Sequence, residues 1–239
     1  MFIRLLFGNR DTSTRYTSRR IKIDNDIKLV IGNSIEPVFV CYTFGEENHK
    51  YLTDLGITSK LVDKRPVAWD LTTEMYRHKL EAFKLGISEY DKIVFLDWDC
   101  IATRPLPDNF WEKHLEKDHI QAVLRQYFVR KCREWRNVDI RKIPCASYLY
   151  LREDIGDELI KIWEGPVLKK AWSEERVLAY YTDMLYGGWK GIEFYKEHFE
   201  PEFFALAKKD HGIFPEKPLQ VFQHYNWHEV QCLLEKRIR

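Results

Sequence analysis

Two aspartates separated by one residue stand directly after an apolar run, and they are the side chains best placed to do chemistry. Residues 92–96 read Lys-Ile-Val-Phe-Leu, and Asp97-Trp98-Asp99 follows at once. Side chains two positions apart in extended backbone point the same way, so the two carboxylates can share one ligand. Mg²⁺ and Mn²⁺ prefer oxygen ligands and complete their shells with phosphate oxygens and water. The pattern therefore predicts a divalent-cation site beside a bound phosphate group.

The segments around this pair alternate between strand-like and helix-like patterns. The run at 92–96 is apolar without alternation, as in a strand that is covered on both faces. Residues 71–85 carry apolar side chains at mostly helical spacing, and Gly86 is the expected end of that helix. The order predicts an α/β fold with a mostly parallel central sheet flanked by helices. Further strands are predicted at 38–42, 60–62, 120–124 and 147–151, and further helices at 46–55, 157–163 and 173–185.

Length and composition limit what the whole chain can be. Its 239 residues, 45% of them hydrophobic, suffice for one α/β domain, and no repeat, low-complexity tract or linker divides them. No apolar run of roughly 18 residues exists, and the opening segment 1–8 is too short for a signal peptide, so we expect a cytoplasmic protein without a transmembrane segment. The five cysteines lack any metal-ligand spacing, which argues against a disulfide framework or a zinc site.

Three segments carry a family resemblance: 76–80 (Tyr-Arg-His-Lys-Leu), 90–99, which ends in the aspartate pair, and 221–225 (Val-Phe-Gln-His-Tyr). They resemble the GT-A type of nucleotide-sugar glycosyltransferases, and the glycogenin-like branch is the nearest. The resemblance extends loosely over residues 37–225. It implies a metal-dependent transfer of a sugar from a nucleotide-diphosphate sugar to an acceptor hydroxyl, with Mn²⁺ or Mg²⁺ as cofactor.

The resemblance also implies how the chain is divided and which residues form the donor site. We expect a single GT-A-like domain over residues 1–239, with the nucleotide-sugar-binding half at about 1–105 and the acceptor-side half at about 106–239. The loop after the first strand holds the nucleoside in that family, and a basic residue on the helix before the aspartates approaches the nucleotide. Carried over, these roles fall on Thr43 and Phe44 for the nucleoside, on Lys79 or Arg77 for the nucleotide, and on Asp97 and Asp99 for the metal.

A histidine near the carboxyl terminus completes the metal shell in the family, and the sequence offers three. His224 is preferred because it follows an apolar run at 219–222, while His211 and His228 stay open as alternatives. The family's usual spacing of histidine, glycine, lysine and proline is not intact in this region. A second departure is Trp98, since small residues are commoner at the middle position of the aspartate pair.

Glycosyl transfer to a hydroxyl group also requires that the hydroxyl lose a proton, and a carboxylate is the usual base. Asp183 and Glu175 are the candidates. Asp183 leads into a Gly-Gly turn at 187–188, where a substrate can approach the backbone closely. Glu174 and Glu175 also suit the first turn of a helix without any catalytic role. An enzyme that retains the anomeric configuration needs no such base, and both outcomes stay open.

The acceptor is indicated only by two basic segments, since the formal net charge of the chain is +1. Residues 125–142 hold seven basic and two acidic side chains among three aromatic ones, and residues 10–22 hold five basic side chains and one acidic one. Such segments suit a phosphorylated saccharide such as lipopolysaccharide, an anionic membrane surface, or DNA. A saccharide acceptor is expected, and a hydroxymethylated base in phage-type DNA is the alternative. An ordinary solvated charged loop explains the segments equally well.

Other protein classes fit the aspartate pair less well. A haloacid-dehalogenase phosphatase has its aspartates near the amino terminus, with Thr or Val two positions after the second, where this chain has Ile101. A nucleotidyltransferase has a glycine-rich basic loop after its first strand, whereas residues 43–47 are acidic. A non-catalytic carbohydrate- or nucleic-acid-binding module would give no reason for the paired carboxylates. Oligomeric state is not indicated by any pattern.

Overall fold

The computed structural model describes most of the first 186 residues and short segments beyond them. The described residues are 1–8, 10, 17–33, 38–67, 72–102, 104–117, 120–126, 142–153, 155–165, 174–186, 197, 203–205 and 221–224. The strands among them are β1 (Phe2–Leu6), β2 (Phe39–Phe44), β3 (Ser59–Asp63), β4 (Lys92–Leu96), β5 (Cys100–Ala102), β6 (Ile120–Gln126), β7 (Lys142–Arg152), β8 (Phe204–Ala205) and β9 (Phe222–His224).

Six of these strands form a central sheet in the order β3-β2-β1-β4-β7-β6. Three of its five pairings are parallel, namely β1 with β2, β2 with β3, and β1 with β4. The remaining two are antiparallel and join β7 to β4 and to β6. The α/β fold with a mostly parallel central sheet, predicted from the alternation of segments, is confirmed.

Helices cover both faces of the sheet, because side chains alternate between the faces along each strand. On β1, Ile3 and Leu5 face one core cluster, while Phe2 and Leu6 face two others. The described helices are α1 (Thr17–Asn33), α2 (Glu46–Asp54), α3 (Thr72–Tyr90), α4 (Phe110–Leu115), α5 (Gly156–Glu164) and α6 (Glu174–Tyr186). The first cluster packs under α3, α5 and α6, and the others under α1, α2 and α4. No described helix is long and apolar enough to cross a membrane.

The opening segment of the chain is a central strand, which the sequence patterns did not predict. β1 pairs with β2 on one side and with β4 on the other, and all five of its residues are buried. The run was missed because Arg4 interrupts the apolar residues, and a charged side chain is rarely buried in a sheet. Helix α1 was also not predicted.

Helix α3 continues past the glycine at which it was expected to end. It runs to Tyr90, with Gly86 inside its last turns. A Cβ atom at Gly86 would lie 3.0 Å from Ile3 Cδ1 and 3.2 Å from Ile93 Cδ1. The glycine therefore allows α3 to approach β1 and β4 closely, and its role is in packing rather than in ending the helix.

A small second sheet lies beyond the end of the central one. It has the order β5-β9-β8, and β5 begins one residue after Asp99. The β5–β9 pairing is antiparallel and sets Cys100 opposite His224. This sheet joins a segment near the carboxyl terminus to the aspartate pair, although the two are far apart in sequence.

An aromatic cluster under the second sheet contains a buried histidine. His114 is 1% exposed, lies against the rings of Phe110 and Phe203, and has its Nε2 2.7 Å from the Tyr148 hydroxyl. Burial lowers the pKa of His114 from 6.5 to about 3, and a hydrogen bond with the backbone of Phe110 offsets only part of that effect. The folded protein therefore keeps this ring neutral over most of the acid range.

Replacing His114 by glutamine tests this assignment through the pH dependence of stability. Below pH 6.5 the unfolded chain binds a proton at His114 that the folded protein does not bind until about pH 3. The wild type therefore loses about 1.4 kcal/mol of stability per pH unit across that interval because of this residue, and His114→Gln does not. Urea unfolding is expected to show the wild type's advantage over the variant shrinking by about 2 kcal/mol from pH 7 to pH 5. An advantage of equal size at both pH values would mean that His114 has an ordinary pKa.

Candidate active site

The aspartate pair lies in a turn that joins the central sheet to the second sheet. Asp97 follows β4 and its amide donates to the carbonyl of Ser147, at 3.0 Å. The amide of Cys100 donates back to the carbonyl of Asp97, at 2.9 Å, and closes the turn. The strand order reverses between β1 and β4, and ligands of open α/β sheets bind at the carboxyl ends of strands beside such a point. The fold therefore sets both aspartates at a preferred ligand site.

A buried arginine from β1 holds this turn. Arg4 is fully buried, and its guanidinium donates to the carbonyl of Asp97 at 2.6 Å and to that of Cys100 at 2.9 Å. The guanidinium carbon also lies 5.1 Å from the ring centres of both Phe39 and Trp98, a distance at which a cation is attracted to an aromatic face. Backbone geometry at the aspartate pair thus depends on a side chain in the first strand.

Trp98, the unusual middle residue, is an anchor for the same turn. Its ring is 6% exposed and packs with Ile27 and Ile101, and its Nε1 donates to the carbonyl of Leu5 at 3.0 Å. By contrast, the side chains of Asp97 and Asp99 keep 35% and 20% of their surface exposed. The tryptophan is therefore buried in the core while the two carboxylates stay open to a ligand, and its size does not obstruct them.

Lys79 of α3 provides a fixed positive charge beside Asp97. Its Nζ lies 3.0 Å from Asp97 Oδ1 and 2.9 Å from Glu174 Oε1 at the start of α6. Both Lys79 and Glu174 are almost fully buried. Burial would lower the pKa of Lys79, but the two carboxylates outweigh it and raise the pKa well above its ordinary value. The lysine is consequently charged at neutral pH.

Lys22 of α1 makes a similar bridge on the other side of the pair. Its Nζ lies 2.6 Å from Asp26 Oδ2 and 3.3 Å from Asp99 Oδ2. The pKa of Asp26 is raised from 3.8 to about 7, mainly because of burial; Lys22 lowers it and the negative charge of Asp99 adds to the rise. Each aspartate of the pair is thus matched with a lysine from a different helix.

His224, the candidate third metal ligand, lies near the aspartate pair by its backbone position. The register of β5 and β9 sets His224 opposite Cys100, next to Asp99 in the chain. The structure describes only the backbone of His224, and His211 and His228 lie outside the described residues. No group of three potential metal-ligating side chains occurs among those that the structure describes, so the assignment of His224 stays a prediction.

The two carboxylates fit a hard divalent cation. They belong to partly exposed side chains separated by one residue of a single turn, and their described partners Lys79 and Lys22 are cationic groups. A site of this kind supplies few protein oxygens and leaves the remaining coordination positions to phosphate and water, as Mg²⁺ and Mn²⁺ require. The donor set is therefore compatible with the predicted cofactor.

The structure distinguishes the two basic residues that were predicted to approach the nucleotide. Lys79 contacts Asp97, whereas Arg77 pairs with Glu81 and, at 2.9 Å, with Glu164. Of these two residues, Lys79 is the one whose described contacts include the aspartate pair. Helical periodicity could have indicated this difference, because residues two positions apart point about 200° apart, and Lys79 shares the buried face of α3 with Met75 and Phe83.

Thr43 and Phe44, the predicted nucleoside residues, lie at the end of β2 and are buried. The Thr43 hydroxyl lies 3.1 Å from Ser59 Oγ and donates to the carbonyl of Lys60 at 3.0 Å, while the Phe44 ring packs 4.3 Å from that of His78. β2 is the second strand of the chain, and the first strand ends at Leu6. Their assignment to the nucleoside stays a prediction, made on the assumption that β2 came first.

The loop after β1 also lies at the carboxyl ends of the parallel strands, and the sequence patterns did not predict it. Asn48 donates from Nδ2 to the carbonyls of Gly8 and Phe44, at 2.9 and 2.7 Å. The amide of Val67 donates to the carbonyl of Phe7 at 2.9 Å. These bonds join the ends of β1 and β2 to the segment after β3, and they place Phe7 and Gly8 beside the reversal of strand order. Recognising 2–6 as a strand would have identified them.

Of the two candidate bases, one has a described side chain, and it is engaged elsewhere. Glu175 Oε1 accepts a hydrogen bond from the amide of Ala146 at 3.2 Å. Asp183 lies on α6, and the structure describes only its backbone. Glu174, which had been considered only as a helix-capping residue, is the glutamate that reaches the aspartate pair through Lys79. The roles of Glu175 and Asp183 stay predictions.

The basic segments differ in what the structure describes. Residues 127–141 lie outside the described residues, so the expected contact of the 125–142 segment with DNA, a membrane or a phosphorylated saccharide stays a prediction. In the 10–22 segment, Arg10 pairs with Asp24 at 2.8 Å and lies over the Tyr51 ring, and Lys22 pairs with Asp26 and Asp99. These internal contacts leave that segment with less free positive charge than its sequence suggests.

The arrangement of strands and helices is that of known glycosyltransferase structures. The chain matches the apo form of mouse xyloside xylosyltransferase 1 with a TM-score of 0.52 and 10% identity, over 95% of this chain and 98% of that one. It also matches an active-site mutant of LgtC (TM-score 0.49, 14% identity, 99% and 96% covered) and a glycosyltransferase involved in the glycosylation of the major capsid of PBCV-1 (TM-score 0.46, 13% identity, 98% and 100% covered). No family model and no curated protein matches the chain. The predicted GT-A-like fold is confirmed by the first of these matches.

Replacing Lys79 by methionine tests whether the bridge to Asp97 and Glu174 is a buried charge cluster. Lys79→Met leaves the nearly buried Glu174 without its cation, and we expect a loss of about 3–5 kcal/mol in the free energy of unfolding. Lys79→Met combined with Glu174→Gln is expected to recover at least about 1 kcal/mol, because the uncompensated charge is gone. Denaturant unfolding of the single and double variants measures both values.

Lys60→Met is the matched control for this experiment. Lys60 pairs with Glu89, and both side chains are more than one-third exposed. Its loss is expected to cost no more than about 1 kcal/mol. If Lys79→Met were as mild as Lys60→Met, the Lys79 bridge would not be the buried cluster described above.

Proposed function

We propose that this protein is a metal-dependent glycosyltransferase that moves a sugar from a nucleotide-diphosphate sugar to an acceptor hydroxyl. The observation that carries the proposal is the partly exposed pair Asp97 and Asp99, held by buried Arg4 at the reversal of strand order in a glycosyltransferase fold. A buried arginine fixes the backbone of this turn while both carboxylate side chains stay accessible to a ligand, which is the arrangement that a binding site requires.

Asp97 and Asp99 are the proposed ligands of Mn²⁺ or Mg²⁺, with His224 as the third. A bound cation of this kind supplies positive charge that stabilises the leaving diphosphate. Arg4 contributes by fixing the backbone of the turn, so that the two carboxylates are oriented before any ligand arrives. Preorganised charges of this sort lower the cost of reorganisation during the reaction.

Lys79 has a separate proposed role toward the donor. Its ammonium group is nearly buried between Asp97 and Glu174, so it orients Asp97 and adds a fixed positive charge next to the anionic nucleotide. Because the group is bound on both sides, it does not move when the donor leaves. We assign it to positioning of the metal ligand rather than to proton transfer.

The proposed acceptor is a saccharide. The matching structure with a TM-score of 0.52 is named as a xyloside xylosyltransferase, and a xyloside is a saccharide, which supports a saccharide acceptor. For an inverting reaction, Asp183 and Glu175 are the proposed candidates for the base. No described residue favours a DNA acceptor over a saccharide.

A binding and hydrolysis assay with Asp99→Ala tests the proposal. Nucleotide sugars with different bases and sugars are each added with Mn²⁺, and thermal stability and slow donor hydrolysis are measured. At least one donor is expected to raise the melting temperature only when Mn²⁺ is present, and hydrolysis of that donor is expected to fall by about 100-fold or more in Asp99→Ala. Hydrolysis also separates an enzyme from a module that only binds carbohydrate.

Asp54→Ala provides the matched control. Asp54 ends α2, is 61% exposed, and pairs with exposed Lys50 in the one contact described for it. The same substitution there removes one carboxylate that has no proposed part in metal or donor binding. It should leave donor binding and hydrolysis at wild-type values. The proposal fails if no nucleotide sugar shifts the melting temperature with Mn²⁺, or if Asp99→Ala binds and hydrolyses its donor as the wild type does.

A further inference from the structure

Lys22 joins a buried carboxylate to one of the proposed metal ligands. Its ammonium nitrogen lies 2.6 Å from Asp26 Oδ2 and 3.3 Å from Asp99 Oδ2, so a single charge serves both groups. Asp26 is 1% exposed and follows Lys22 by one turn of α1. Its second oxygen, Oδ1, is buried and has no hydrogen-bond partner within the part of the chain that the structure describes. The negative charge of the buried Asp26 carboxylate is therefore balanced by Lys22.

The two lysines beside the aspartate pair are held very differently. The Lys79 side chain is 7% exposed and lies at nearly equal distances from its two carboxylates. The Lys22 side chain is 32% exposed and lies closer to Asp26 than to Asp99. Loss of the Asp99 contact would leave Lys22 with its shorter and more buried ion pair. Lys22 can therefore release Asp99 without becoming an unpaired charge, and its longer contact and greater exposure make this release easier than that of Asp97 by the nearly buried Lys79.

We propose that the Lys22 ammonium group binds the Asp99 carboxylate in the ligand-free protein. When the divalent cation binds Asp99, Lys22 loses this contact and keeps its ion pair with Asp26. The inference rests on the proposed function, since it takes Asp99 as a metal ligand. An ammonium group and a divalent cation compete for the same carboxylate oxygens. The contact with Lys22 thus weakens binding of the bare cation, and Asp26 limits that competition by holding the lysine from the other side.

A direct cation-binding measurement tests this competition without any substrate. Titration of Mn²⁺ into the full chain, followed by calorimetry or by the electron paramagnetic resonance of free Mn²⁺, gives its Kd at one fixed pH and ionic strength. Lys22→Met is expected to bind Mn²⁺ about tenfold more tightly than the wild type, because the ammonium group that competes for the Asp99 carboxylate is gone. Lys22→Arg keeps the charge and is expected to restore weak binding.

Lys28→Met is the matched control for a general effect of charge. Lys28 lies on the same helix and is exposed, so its loss removes the same charge without touching Asp99. Its Mn²⁺ affinity is expected to stay within about twofold of the wild type, since exposed charges are screened by salt. A gain as large as that of Lys22→Met would show an effect of net charge alone and would overturn the proposal.

Asp26→Asn is expected to act in the opposite direction. Without the Asp26 carboxylate, Lys22 has Asp99 as its remaining described partner and competes more strongly, so Mn²⁺ binding should weaken by about threefold or more. This variant also decides the question if Lys22→Met does not fold. An Asp26→Asn variant that binds Mn²⁺ as tightly as the wild type, or more tightly, contradicts the proposal.

The outcomes separate this inference from the proposed function. Equal Mn²⁺ affinities in the wild type, Lys22→Met and Asp26→Asn would overturn the competition and leave the metal site of the glycosyltransferase intact. If neither the wild type nor any variant bound Mn²⁺ at millimolar concentration, both the competition and the proposed metal site would be wrong.

Discussion

The guanidinium of Arg4 lies inside the core, and the geometry of the candidate active site depends on it. It binds the carbonyls of Asp97 and Cys100, the two ends of the turn that presents the aspartates. A buried arginine is costly unless its donors are satisfied, so the turn and the arginine stabilise one another. The faces of Phe39 and Trp98 line the same charge. First strand, turn and second sheet are thereby fixed as one unit.

Around that unit the charges are balanced rather than simply acidic. Lys79 shares its charge between Asp97 and Glu174, and Lys22 shares its charge between Asp99 and Asp26. Two carboxylates close together repel each other, and a cation beside each of them offsets that repulsion. In the proposed metal site, the same lysines compete with an incoming cation for these carboxylates. Lys22 is the more exposed of the two lysines.

Most of the fold could be predicted where a pattern is local. The unalternating run at Lys92–Leu96 predicted a strand covered on both faces, and helical spacing predicted α3. The failures have a common physical origin, because each involves a residue whose environment is set by distant parts of the chain. Arg4 concealed β1, since its partners lie about 95 positions away. Gly86 looked like a helix end, although the close approach of Ile3 and Ile93 explains it.

For the site, the sequence by itself determined that two carboxylates follow a buried strand, and that a helix with basic residues precedes them. Spacing and apolar runs suffice for this, because they are properties of neighbouring residues. Only the tertiary structure decided that Lys79 meets Asp97, and that Glu174 joins it. It also decided that Lys22, one of a run of basic residues, pairs inward with Asp99. These pairings depend on how helices pack across the sheet, which no local pattern specifies.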